Sequence, residues 1–206
     1  MPDPEPDSAL LSALTTEHFV LQSAVNGTIT EASGRSALYV MALSSTLIAL
    51  GFTAEKEEVF TVFALSVLPV VFVLGCFSVI RLVDTAIESM QLLRGIARIR
   101  GHYRTLGPEA QALFAANQGR WPEAPSNEPA LQLGPMLAQM GTTAWMVAVI
   151  NNAVAGAIAT LAASRWLKAG METHLLLGAA VAVALTVFFY GFQRWRIATA
   201  GAPTPD

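Results

Sequence analysis

The sequence predicts an all-α integral membrane protein that crosses the bilayer with four transmembrane helices arranged as two hairpins. Three observations carry that expectation. Apolar residues make up 53% of the chain and charged residues 13%, against about 45–50% and about 25% in ordinary soluble domains. Segments 37–53, 59–83, 141–163 and 173–193 are apolar enough, and about long enough, to cross the membrane; a hydrocarbon layer of ~30 Å takes about 20 helical residues. No charge interrupts 59–80 or 141–163 at any helical phase, whereas a helix on a water-soluble bundle needs a polar stripe.

The elements follow in order. In residues 1–11 the acids Asp3, Glu5 and Asp7 alternate with Pro2, Pro4 and Pro6, a composition that predicts a disordered acidic tail. It lacks the basic start of a cleavable signal peptide, so the first apolar segment is expected to be retained. Residues 12–36 read as a cytoplasmic helix running into the first span, with Leu14, His18, Leu21 and Val25 spaced at three or four, although Gly27, Thr28, Thr30 and Gly34 weaken the pattern. The first hairpin, 37–83, turns at the polar residues Ala54, Glu55, Lys56, Glu57 and Glu58.

Residues 84–140 form the largest water-exposed part. The second membrane helix is expected to continue into the cytoplasm until Gly107 and Pro108, followed by a short helical piece around 109–117 and an irregular linker holding Pro122, Pro125, Pro129 and Pro135. The two cytoplasmic extensions are expected to pack on each other. The second hairpin, 141–193, turns through 165–172 with Gly170 as a helix stop, and 194–206 form a cytoplasmic tail.

Orientation follows from the basic residues, which are retained on the cytoplasmic side. Arg35, Arg81, Arg94, Arg98, Arg100, Arg104, Arg120, Arg194 and Arg196 fall on one side and Lys56, Arg165 and Lys168 on the other, nine against three. Both termini are therefore expected inside, in a bacterial inner (plasma) membrane.

Asn151 and Asn152 are the most informative polar residues, because they lie within the third span. Amides in hydrocarbon must find partners, and neighbouring helical positions point ~100° apart, so the pair is expected to serve different neighbours. Two roles fit them: bonds between helices, or the lining of a pore or ligand cavity. Small residues at a spacing of four, Ala153 with Ala157, Gly156 with Thr160, and Gly178 with Ala182 and Thr186, point to close helix packing. Pro69 removes a backbone hydrogen bond from the second span and predicts a kink, with Ser66 placed to serve the freed carbonyl.

Arg81, Asp84 and Glu88 stand about a turn apart at the inner end of that span, either as an interfacial ion-pair ladder or as the charged mouth of a pore. Arg98, Arg100 and Arg104, with His102 and Tyr103, form a basic cluster suited to anionic lipid headgroups. No nucleic-acid footprint is present. The lone Cys76 excludes an internal disulfide and reads as a packing residue. His18, His102 and His174 have no carboxylate three or four residues away, so no metal site is expected.

The chain has no phosphate loop, nucleophile elbow or HExxH motif. No Asp, Glu, Lys or Arg lies deep in a span, which disfavours proton relays and voltage sensing. Catalytic residues and cofactors are accordingly expected to be none. The runs Glu17-His18-Phe19, Gly34-Arg35 and Ala97-Arg98-Ile99-Arg100-Gly101-His102-Tyr103-Arg104 resemble those of uncharacterised four-span membrane proteins of actinobacterial type. The resemblance extends over most of the chain and brings no site residue with it.

Two functional readings follow. One is a homo-oligomeric channel or pore, suggested by Asn151, Asn152, Pro69 and the charged inner mouth. The other is a non-catalytic membrane scaffold or accessory subunit that binds a cytoplasmic protein partner through its helical extensions.

Overall fold

The computed structural model describes residues 5–114 and 140–200; the proline-rich linker lies outside the described residues. Among the described residues every regular element is a helix: α1 (Glu5–Thr53), α2 (Glu57–Arg104), α3 (Pro108–Leu113), α4 (Thr143–Trp166) and α5 (Met171–Ala200). All but α3 are long and apolar enough to cross a membrane.

α1 departs from expectation at its start. It begins at Glu5, inside the stretch expected to be disordered, and then runs without a break through residues 12–36 into the first apolar segment, as expected there. Proline is tolerated in a first helical turn, where its missing N–H has no intrahelical partner to lose. At 49 and 48 residues, α1 and α2 each have more than twice the ~20 residues that a membrane span takes. Their connection is tight: Ala54 N–H donates to the Gly51 carbonyl and Lys56 N–H to that of Thr53. Glu57 and Glu58, expected in the turn, instead form the acidic first turn of α2.

The contacts divide the chain into two units. The first takes α1 up to Glu31 together with the chain from Thr85 through α3. Along α1, Leu11, Leu14, His18, Leu21 and Val25 are half-buried and Thr28 is buried, an alternation of three and four residues that defines one helical seam. Leu21 seats over Gly95 of α2, where an added Cβ would lie 3.0 Å from its Cδ1. The α1 and α2 segments of this unit therefore pack on each other. α2 ends at Arg104, and Gly107 precedes Pro108 with φ 155°, a backbone region that disfavours any residue bearing a Cβ. The break thus falls at the expected Gly-Pro pair, and α3 spans Pro108–Leu113, while 115–117 of the expected helical piece lie outside the described residues. Behind it, the Phe114 ring lies 5.3 Å from Tyr103 and 5.9 Å below the Arg100 guanidinium.

The second unit holds Ala32–Asp84 and the chain from Gly141 onward. Its core is Leu50 of α1, Ala64 and Leu68 of α2 and Val154 of α4, flanked by Leu43, Phe60, Phe63, Phe72, Ile158 and Leu161. α4 is capped by Thr142, whose hydroxyl accepts the Trp145 N–H at 3.2 Å, the usual way to satisfy an orphan donor of the first turn. It ends at Trp166, with Leu167 N–H donating to the Ala163 carbonyl. Gly170 is not the stop of α4 but the start of α5, its carbonyl accepting from Thr173 and His174.

α5 packs on α4 along a narrow seam. Its buried residues are His174, Gly178, Phe189 and Gln193, while Leu176, Val183, Val187 and Phe188 are exposed. At the closest approach an added Cβ on Gly156 would stand 2.7 Å from the Gly178 carbonyl oxygen. Of the small-residue sets, Gly156 with Thr160 and Gly178 with Ala182 meet here, but Ala153 and Ala157 are exposed.

Candidate functional site

The polar groups of the second unit converge on α4. Asn151 and Asn152 are both buried and point to different helices. The Tyr39 hydroxyl of α1, whose residue is 0% exposed, donates to Asn151 Oδ1 at 3.1 Å, and Asn151 Nδ2 donates to Cys76 Sγ of α2 at 3.5 Å. One amide therefore joins three helices. Gly75 makes room for it, because a Cβ there would fall on the amide and come 2.8 Å from the Tyr39 ring.

Asn152 turns to α5. Its Nδ2 donates to Thr186 Oγ1 at 3.1 Å, and that hydroxyl donates in turn to the Ala182 carbonyl at 2.8 Å. Because the hydroxyl proton is committed to Ala182, Thr186 can only accept from the asparagine, which fixes the amide with Oδ1 away from Thr186. Nearer the N-terminus of α4, Gln193 Nε2 donates to Thr142 Oγ1 at 3.4 Å. Gln193 is 2% exposed and its Oε1 has no partner among the described residues.

Both asparagines border a cavity of about 240 Å³ between α2, α4 and α5. Its other walls are Phe72, Cys76, Val79, Ile80, Ala148, Leu185, Phe188, Phe189 and Phe192, so apart from the amides and the thiol it is apolar.

Aromatic rings gather at the same end of α4 and α5. Trp145 lies 6.0 Å from Phe189 and 6.0 Å edge-on from Tyr190, and Arg194 lies over Tyr190 at 6.0 Å. Asp84 pairs with Arg196 of α5. This partner comes from another helix, and Glu88 is exposed and belongs to the first unit. With 39% and 33% of the Arg196 and Asp84 side chains exposed, water screens the pair strongly. Asp84→Asn should therefore cost less than about 1 kcal/mol, as read by denaturant unfolding in micelles, and the loss should shrink with added salt.

The remaining sequence candidates fall elsewhere. Pro69 is half-buried within α2, which continues on both sides of it. Ser66 donates to the Val62 carbonyl at 2.7 Å and is exposed, so it does not serve the Leu65 carbonyl that Pro69 frees. Among its own helix's carbonyls, the one a turn before serine is the nearest, as usual for helical hydroxyls. Arg98, Arg100 and Arg104 lie in the first unit, where Arg98 is exposed and Arg100 covers Phe114. Among the described residues no three His, Cys, Asp or Glu side chains converge as a metal site. His174 Nε2 lies 3.3 Å from the Leu167 carbonyl, which requires that nitrogen to carry the proton.

The sequence reading missed Tyr39, Gly75 and the partner role of Cys76. The only local signal was a tyrosine inside an apolar segment, whose hydroxyl needs an acceptor. Compared with known proteins, the chain matches no family model, no curated protein and no solved structure.

Proposed function

We propose that the chain is a four-span plasma-membrane protein with both termini in the cytoplasm, built of the hairpins α1–α2 and α4–α5, and that it acts as a non-catalytic scaffold or accessory subunit. The carrying observation is the length of α1 and α2 together with their pairing in the first unit. Each has more than twice the ~20 residues that a span takes, and Leu21 seats over Gly95 in the first unit. Such a helical pair offers a partner protein a stiff surface outside the bilayer.

The spans support the same reading. The Asn151 and Asn152 donors are spent on neighbouring helices, the usual work of amides in bundles. Trp145, Tyr190 and Trp195 cluster where Arg194 and Arg196 also lie, as residues of an inner interface do. The pore reading retains one supporting observation, that both asparagines border the cavity.

The test has three arms. With Cys76 replaced, Glu55→Cys should react with an impermeant maleimide from outside intact cells and Thr105→Cys only after lysis; the reverse overturns the orientation. Photo-crosslinking residues at Phe19 and Ile29, both exposed in the first unit, should give a discrete protein adduct that Val183 and Val187 do not give. Purified chain in liposomes should pass no ions above protein-free vesicles. Flux that Asn152→Leu changes, with no adduct at Phe19 or Ile29, would replace the scaffold by the pore.

A further inference from the structure

We propose that the cavity between α2, α4 and α5 binds a lipophilic alcohol, an apolar body carrying one hydroxyl that donates to Asn152 Oδ1. The inference goes beyond the scaffold role and rests only on the membrane placement.

Three features of the cavity specify that chemistry. Its walls are hydrocarbon and aromatic, with Phe72, Val79, Leu185 and Phe189 among them, and no charged residue contributes. Its volume of about 240 Å³ exceeds the ~150 Å³ at which a dry apolar cavity already takes benzene. Its rim includes Phe188, 71% exposed, and Ile80, 49% exposed, side chains fit for lipid rather than water. Entry is therefore lateral, from the hydrocarbon layer.

The polar complement is a single acceptor. Thr186 holds Asn152 Nδ2 and, with its own proton given to Ala182, leaves Asn152 Oδ1 without a partner among the described residues. The neighbouring Asn151 is occupied on both sides of its amide, by Tyr39 and Cys76. A bound water needs two to four polar partners, more than this wall supplies. A bare hydrocarbon tail fills the volume and leaves Oδ1 unsatisfied. A hydroxyl on an apolar body meets both demands, and a site that bonds a substrate hydroxyl discriminates strongly against the analogue lacking it.

The test uses the full chain in phosphatidylcholine nanodiscs with a long-chain alcohol carrying a diazirine, beside its methyl ether, which keeps the body and loses the donor. The alcohol should label the α2 and α5 walls saturably, be displaced by unlabelled octanol, and exceed the ether by about fivefold, the worth of one neutral hydrogen bond. Asn152→Leu should bring the alcohol down to the ether, and Leu185→Trp, which fills the cavity, should reduce both. Equal labelling by alcohol and ether in the native chain overturns the proposal without needing any variant, as does a preference that survives Asn152→Leu. A chain that cannot be reconstituted in nanodiscs overturns the membrane placement and the proposal with it, whereas a reconstituted chain that shows no alcohol preference sinks the proposal alone.

Discussion

Gly178→Leu should pull α4 and α5 apart and lower the unfolding free energy by about 3 kcal/mol or more, the upper range for overpacking a tight contact. The reason is that α5 has no slack at this position. A Cβ on Gly178 meets the Thr160 hydroxyl and the Gly156 carbonyl at once, and the first of these is tied by its own bond to Gly156. Backbone lies opposite backbone, so no side-chain rotation relieves the clash. α5 has few other buried positions with which to hold its place. Gly51→Leu and Gly191→Leu are the controls, since nothing lies within 4 Å of an added Cβ at either. Unfolding in micelles followed by helix circular dichroism, or by steric trapping in bicelles, should separate Gly178→Leu sharply from both. Equal stability of all three variants would refute the close approach of α4 and α5.

Asn151→Leu should be the second large effect, at about 2–3 kcal/mol. The substitution strands the Tyr39 hydroxyl in a site with no exposure, and a buried donor without an acceptor costs ~1–3 kcal/mol. It also sets a branched side chain against Gly75, where the flat amide now fits. Tyr39→Phe in the native background should cost only ~1 kcal/mol, in line with bonds between membrane helices. Combined with Asn151→Leu, Tyr39→Phe should recover part of the loss, because the stranded hydroxyl is gone. A double-mutant cycle measures that coupling; strictly additive losses would mean that the two residues do not meet.

What the sequence revealed and what it concealed divide along the reach of the interaction. The apolar helices were legible because hydropathy is a local property, and the break at Gly107 and Pro108 because backbone restriction is local too. The need of Asn151 and Asn152 for separate partners followed from helix geometry alone. Their partners did not, because Tyr39, Cys76 and Thr186 lie on other helices and are selected by the register between helices, which no spacing within one segment encodes. Asp84 makes the same point: no spacing along α2 pointed to Arg196, which arrives from α5. Ser66 was misassigned because a helical hydroxyl bonds the carbonyl four residues back, and that is Val62. From Glu5 on the tail departs from the expectation because its prolines were weighed as breakers, although Pro6 occupies a first turn of α1, where proline is harmless.

Within the second unit α1 buries Tyr39 and Thr46 and half-buries Thr53, three positions one heptad apart. The segment therefore works as a ruler whose smallest allowed division is two turns. Tyr39 is fixed at one graduation by Asn151, and Leu50, close to another, by the α2 and α4 core. A single residue gained or lost between them would rotate one end by ~100° relative to the other, so that keying the tyrosine would unseat the leucine. Seven residues would leave only ~20° of drift. Changes of length in this part of the chain are thus quantised, and the count between these two anchors is as much a part of the specification as the residues themselves.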